Sequence, residues 1–203
     1  MPEEKHLQHG PLGENCAHLC IDMQNIFAGD TEWHTPWMER VLPFVERLAE
    51  ARPERTIFTR FIPAQHPGEG EGTWGRYYER WRTMTLDALP PGSIDLVPSL
   101  ARLVPPAEVV DKHVYSPWTE PGLHERLQAR RIDTLVISGT ETDVCVLAAV
   151  LGAVDLGYRI VLPTDALCSS SDEAHDALLT VYRGRFGQQI ETVSTEEILR
   201  AWR

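Results

Sequence analysis

Thr134 to Leu156 reads TLVISGTETDVCVLAAVLGAVDL, and its two ends follow different rules. Thr134 to Ser138 is a short apolar run with β-branched residues, the composition of a strand covered on both faces. Val144 to Leu156 is apolar on nearly every face, which marks a helix buried against a sheet rather than one lying on the surface. A strand that feeds such a helix through the turn Gly139 to Cys145 is the start of a βαβ unit. The alternation extends both ways along the chain. Further strands are predicted at Ala17 to Ile21, Arg55 to Arg60, Glu108 to Asp111, Arg159 to Leu162 and Gln189 to Val193. Helical patterns lie between most of them: Trp37 to Ala51 carries Val41, Leu42, Val45 and Leu48 at amphipathic spacing, and Asp172 to Arg183 forms another helix. Ser194 followed by Glu197 has the spacing of a capping box that opens a last helix. Strands alternating with helices define the α/β class with a parallel sheet.

The chain has 203 residues, a length that suits one domain over 1–203 with a core of its own. Residues 1–15, with Glu, His, Gln and Pro and no apolar core, read as a flexible N-terminal arm and not as a signal peptide. A formal charge of -11 would repel a phosphate backbone, so no nucleic-acid partner is expected. No apolar run reaches the roughly 18 residues of a spanning helix, because Asp143 and Asp155 bracket the longest candidate. A soluble, cytoplasmic protein without a membrane partner is expected. The four cysteines, at 16, 20, 145 and 168, have neither zinc-site spacing nor the density of a disulfide scaffold. They read as reduced thiols. The least regular part is Phe61 to Thr73, with Pro63, Pro67 and glycines at 68, 70 and 72, followed by Trp74, Tyr77, Tyr78 and Trp81. An insertion of this length in an α/β domain is more often a lid or an interface than a linker.

Three polar residues stand at or just beyond the ends of strands: Asp22, Lys112 and Cys145. Ligands of open α/β sheets bind at the carboxyl ends of the strands, so all three could reach one pocket. The turn Gly139 to Cys145 sets the thiol at a helix N-terminus, where partial positive charge favours a thiolate.

In order along the chain, the segments Cys20 to Phe27 (CIDMQNIF), Asp111 to Trp118 (DKHVYSPW) and Gly139 to Val146 (GTETDVCV) resemble the first-strand, lysine and cysteine motifs of the isochorismatase-like cysteine hydrolase superfamily. The continuation from Leu147 to Thr164 is similar as well. The resemblance implies a three-layer α/β/α fold with a six-stranded parallel sheet, and Asp22, Lys112 and Cys145 as the catalytic set. It also implies a non-proline cis peptide between Thr140 and Glu141, and an oxyanion hole built from the backbone N–H groups of Glu141 and Cys145. In chemical terms Asp22 would take the thiol proton, Lys112 would hold Asp22 ionised, and the two N–H groups would stabilise the tetrahedral oxyanion. The function expected is hydrolysis of a C–N bond in a small amide, carbamoyl or ureido compound through a thioester. Substrate contacts are expected from Asn25, Phe27, Arg60, Tyr115 and Trp118, Arg60 because guanidinium groups hold carboxylates, although an ion pair at the strand end is an equal reading of that residue. No cofactor is expected. A small-molecule substrate and a homo-oligomer, dimer or tetramer, complete the expectation.

One departure from the superfamily concerns metal. Its nicotinamidases carry an Asp-x-His motif after the second strand, where this chain has Thr59-Arg60-Phe61-Ile62. His66 is nearby but has no second ligand beside it, so a metal site is not expected. Two rival functions stand: a vinyl ether hydrolase of the isochorismatase type, which needs no thiol, and a non-catalytic ligand-binding or scaffold protein on the same fold. A dinucleotide-binding protein is disfavoured, because the first strand leads into Asp22-Met23-Gln24-Asn25 and not into a glycine-rich turn.

Overall fold

The computed structural model describes residues 7–203. In chain order the elements are β1 (Cys16–Ile21), α1 (Asn25–Ala28), α2 (Met38–Ala51), β2 (Thr56–Phe61), α3 (Thr73–Arg80), α4 (Pro98–Ala101), β3 (Glu108–Lys112), α5 (Leu123–Ala129), β4 (Thr134–Thr140), α6 (Cys145–Asp155), β5 (Arg159–Pro163), β6 (Leu167–Cys168), α7 (Asp172–Arg185), β7 (Ile190–Val193) and α8 (Thr195–Ala201). All strand pairs are parallel, in the order β3-β2-β1-β4-β5-β7, with β6 paired to the end of β4. The sheet therefore has seven strands where six were expected. The seventh, β6, is two residues long, too short for any periodicity to reveal it.

Side chains of β1 alternate between two cores. Cys16 and Cys20 face α2, α4 and α8, with Met38, Val45, Leu48, Leu100 and Ile198. Ala17, Leu19 and Ile21 face α5, α6 and α7, with Leu127, Val146, Val150 and Tyr182. Helices on both faces leave all six residues of the central strand buried, and all but His18 are apolar. At the carboxyl end of the sheet, Ile21 of β1 lies opposite Gly139 of β4. A Cβ on Gly139, whose φ is +113°, would stand 2.1 Å from the Ile21 carbonyl oxygen, so only glycine lets the two strands close here. This contact fixes where Asp22 and the turn after β4 meet.

The N-terminal arm is corrected in part. Met1 to His6 lies outside the described residues, but from Leu7 onward the chain is held. The Leu7 N–H donates to Glu197 at 2.9 Å, Leu12 is buried, and the Leu12 N–H donates to the Ala201 carbonyl while its own carbonyl accepts from the Arg203 N–H. The Arg159 guanidinium adds a bond to the Gly10 carbonyl while paired to Glu191 at 2.7 Å. No helix among the described residues is long and apolar enough to cross a membrane.

His18, fully buried in β1, gives the fold a defined acid sensitivity. The Thr56 hydroxyl donates to the Arg52 carbonyl, so it accepts from Nδ1 of His18, and Nε2 meets the Ser138 hydroxyl at 2.8 Å. Burial pulls the imidazole down to about 3 from 6.5. The unfolded chain therefore binds a proton on His18 between about pH 6.5 and 3 that the folded chain refuses. The stability from the neutral imidazole is complete above pH 6.5 and is lost as pH falls towards 3, at up to about 1.4 kcal/mol per pH unit. In urea unfolding across this range, His18→Gln is expected to flatten the acid limb by close to one proton. An unchanged slope would mean that His18 is not the group responsible.

Candidate active site

Asp22 follows β1 directly and takes φ +50°, a left-handed conformation that Asp tolerates better than most residues. Its carboxylate is fully buried. Oδ1 accepts from the Thr59 hydroxyl at 2.6 Å, and Oδ2 lies 2.7 Å from Nζ of Lys112, which ends β3. This second contact is an ion pair without hydrogen-bond alignment, so Oδ2 keeps open hydrogen-bonding capacity. Nζ also donates to the Val114 carbonyl at 3.2 Å and to Sγ of Cys145 at 3.3 Å. The buried ammonium thus has two hydrogen-bond acceptors and one ion-pair partner. Cys145, the first residue of α6, lies within hydrogen-bonding reach of both Asp22 and Lys112. Two strand ends and one helix start bring the three predicted residues together.

The turn after β4 contains the cis peptide bond between Thr140 and Glu141. The Glu141 carbonyl accepts the N–H groups of Val144 and Val146, whereas the N–H groups of Glu141 and Cys145 have no backbone acceptor among the described residues. Thr142 ties the turn to its surroundings through the Cys168 carbonyl and, at 2.8 Å, His175 of α7. Burial holds the His175 imidazole below its ordinary range.

The electrostatics correct one expectation. A thiolate favoured by the helix N-terminus is not the resting state: burial, then the Asp22 carboxylate, push the Cys145 thiol well above its ordinary range despite Lys112. For Lys112, burial works against the charge, but the charges of Asp22 and a Cys145 thiolate outweigh it and the ammonium is strengthened. At neutral pH the consistent arrangement is an ammonium paired with a carboxylate beside a neutral thiol. Burial also raises Cys16 and Cys168 to about 12, and pushes Cys20 up further. Selectivity among the four thiols then comes from access, since Cys145 is 6% exposed against 2% for Cys168 and 0% for Cys16 and Cys20. Iodoacetamide is expected to label Cys145 first, at a rate that climbs about tenfold per pH unit past pH 8 as the thiolate fraction grows. A plateau at neutral pH, read by peptide mass spectrometry, would instead mean a resting thiolate.

Around Cys145 a narrow cavity of about 50 Å³ is lined by Phe27, Trp33, Phe61, Tyr77, Tyr115, Glu141 and Val144. Phe27 and Tyr115 are where the sequence placed them. Trp33 and Phe61 were not singled out as pocket residues, and Tyr77 belongs to the aromatic stretch for which the sequence left pocket and interface open. Trp33 stands at the centre of a ring cluster, with centroids 5.8 Å from Tyr77, 5.9 Å from Phe61 and 6.3 Å from Phe27. Phe61 ends β2 as Lys112 ends β3, and Nζ lies 5.0 Å from its ring centre, so its strand-end position was a usable signal. Trp33 sits in a loop that offered none. Thr59, also missed, positions Asp22.

Three expected substrate contacts are elsewhere. Arg60 pairs bidentately with Asp111 at 2.7 and 2.8 Å and approaches Asp95 at 3.5 Å. The strand register sets Arg60 directly opposite Asp111, so the two side chains share a face of the sheet and neutralise each other. Asn25 donates to the Gly92 carbonyl at 3.0 Å and holds the loop before α4. Trp118 is structural: its Nε1–H donates to the Ala149 carbonyl at 2.7 Å, and a Cβ on Gly152 would collide with its ring. The place of the metal motif is taken by Thr59, bound to Asp22, and Arg60, bound to Asp111, which do not fit a metal. His66 pairs with Asp87 on the surface at 2.5 Å. A larger depression of about 470 Å³, lined in part by Trp37, Arg40, Cys168 and His175, contains none of the three central residues.

A parallel three-layer domain with a buried Asp, Lys and Cys in contact at the carboxyl edge of its sheet belongs to the hydrolase class of α/β proteins. Residues 16–194 match the Isochorismatase domain, and the chain belongs to that family of hydrolases. It is 27% identical to Nicotinamidase 3 of Arabidopsis thaliana over 172 residues, 83% of this chain and 81% of the relative. It is 26% identical to "Probable inactive nicotinamidase" of the same plant, over 80% of this chain and 85% of the relative. It is 25% identical to N-carbamoylsarcosine amidase of Arthrobacter sp, over 76% of this chain and 60% of the relative. A cysteine hydrolase from Pseudomonas syringae pv. phaseolicola 1448A shares the fold, with a TM-score of 0.79, 22% identity and coverage of 99% of this chain and 98% of that one.

Proposed function

We propose that the protein hydrolyses the C–N bond of a small amide, carbamoyl or ureido compound, with Cys145 as nucleophile and a thioester intermediate. The observation that carries this reading is the contact of Lys112 Nζ with both Asp22, at 2.7 Å, and Cys145 Sγ, at 3.3 Å. A neutral thiol in that setting needs a base at the moment of attack, and a buried carboxylate with open hydrogen-bonding capacity is that base. As Sγ bonds to the carbonyl carbon, the thiol proton passes to Asp22 and the carbonyl electron pair moves onto oxygen. The N–H groups of Glu141 and Cys145 are assigned to this oxyanion, one such donor being worth about 3 kcal/mol. When the intermediate collapses, the C–N bond breaks and the nitrogen takes the proton from Asp22. Water then attacks the thioester, Asp22 accepts its proton, and the acid leaves as the thiol is restored. Lys112 stays charged throughout and offsets the negative charge that moves between Asp22, sulfur and oxygen.

The names of two relatives, a nicotinamidase and an N-carbamoylsarcosine amidase, support C–N cleavage over vinyl ether hydrolysis. The cavity of about 50 Å³ suits a reacting amide group and not the whole of a larger ligand. The test is ammonia release from a panel of carboxamides, N-carbamoyl amino acids and ureido acids, with intact-protein mass spectrometry to trap an acyl adduct on Cys145. Turnover with an adduct on Cys145 supports the reading. No turnover across the panel, with Cys145 unreactive to alkylation at high pH, would favour the non-catalytic reading that the relative named inactive brings to mind.

A further inference from the structure

We propose that an aromatic groove outside the catalytic cavity, edged by Arg76 and Arg80, is the outer half of the substrate site and selects substrates whose protruding end is flat, apolar and anionic. This rests on the amide hydrolase reading and deepens it by naming the substrate class. The catalytic cavity, at about 50 Å³, is too small to enclose a ligand of ordinary size, for which pockets of about 300–1,000 Å³ are usual. A second space of about 560 Å³ lies against α3, and Tyr77 and Tyr115 line both. Both spaces are bounded by these two rings, whose centroids are 6.4 Å apart. In the proposed site a substrate with its amide at Cys145 extends past Tyr77 and Tyr115 into this second space.

The chemistry of that direction is set by the register of α3. Thr73, Arg76, Tyr77, Arg80 and Trp81 recur at helical spacing, so one face of the helix and its following turn presents two aromatic rings and two guanidinium groups to the groove. Trp74 adds a third ring, 4.9 Å from Tyr115. Rings in this number offer flat apolar surface for stacking. Arg76 has no ion pair or hydrogen bond among the described residues, and Arg80 lies 5.1 Å over the Trp81 ring without a carboxylate partner. By contrast Arg60, Arg102, Arg130 and Arg159 each meet an acidic side chain. In a chain of net charge -11, two uncompensated guanidinium groups at an aromatic groove favour an anion, and their planar forks match a carboxylate. The insertion that the sequence marked as a lid or interface thus carries the groove.

Binding to the Cys145→Ala chain, measured by calorimetry, tests the inference without requiring turnover. The probes are N-carbamoyl-L-phenylalanine and its methyl ester, which differ in one negative charge. The acid is expected to bind about tenfold or more tightly than the ester. Arg76→Gln with Arg80→Gln should bring the ratio close to one, and Arg76→Glu with Arg80→Glu should invert it, a reversal that general damage to the fold cannot produce. Equal binding of acid and ester, or a ratio that survives the double Gln variant, overturns the inference. So does a change of oligomeric state in the Glu variant with selectivity untouched, which would make the groove a contact between copies of the chain. Selective binding with no wild-type turnover on any amide would sink the hydrolase reading alone and leave the anion groove standing.

Discussion

Cys145→Ala abolishes turnover while leaving the fold in place: on any amide the wild-type chain hydrolyses, kcat/KM is expected to fall by about 10⁴-fold or more. The size of the effect follows from covalent catalysis, because loss of the only atom that bonds to the substrate removes the two-step route and leaves oxyanion stabilisation and binding alone. The sulfur is buried, but its removal deletes one atom next to an existing cavity, so the thermal midpoint should move by only a few degrees. Substrate binding should persist, because the cavity walls are aromatic rings that the substitution does not touch. Cys145→Ser gives a second reading of the same step. A hydroxyl is a poorer nucleophile than a thiol and would need the Asp22 base still more, so it should retain only a trace of activity. The measurement is steady-state ammonia release with each variant, paired with calorimetric binding. Wild-type kcat in the Ala variant would exclude the thioester outright and mean that water attacks the amide directly.

The meeting of Asp22, Lys112 and Cys145 was legible because each stands at a point the sequence can locate. Asp22, Lys112 and Cys145 follow apolar runs whose ends are visible, and parallel strands carry such ends to one edge. What escaped was everything that depends on register between elements. Arg60 looked like a carboxylate ligand because its partner, Asp111, is 51 residues away and becomes its neighbour only once β2 and β3 are aligned. Thr59, one position earlier, turns the other way and meets Asp22, an assignment that strand alternation permits but does not single out. Trp118 reads as a pocket residue in its motif, yet its indole is taken up by the space that Gly152 leaves on α6. The state of the Cys145 thiol was also misjudged, since the helix terminus was visible in the sequence and the depth of burial was not.

That burial makes the pair beneath the sulfur the second place where a substitution should have a large effect, and there chemistry and stability can be separated. Asp22→Asn keeps the shape of the side chain and an oxygen for the Thr59 hydroxyl, but it can neither accept the thiol proton nor return it to the leaving nitrogen. Loss of general acid and base work of this kind costs about 10²–10⁴ in kcat. The same change leaves the fully buried Lys112 ammonium without its carboxylate, and breaking a buried pair by removing one partner destabilises by about 3–5 kcal/mol. Lys112→Met should destabilise similarly by stranding the Asp22 charge. Removing both charges together, in Asp22→Asn with Lys112→Met, deletes the unpaired ion in each single variant, so the double variant is expected to be more stable than either single one and equally inactive. Urea unfolding of the four chains, with kcat measured on the same samples, reads both effects. A double variant that regains activity along with stability would mean the pair only holds the fold. Asp22→Asn with undiminished kcat would remove Asp22 from the proton path, and the ion pair would then stand as a structural device beneath a nucleophile activated by some other group.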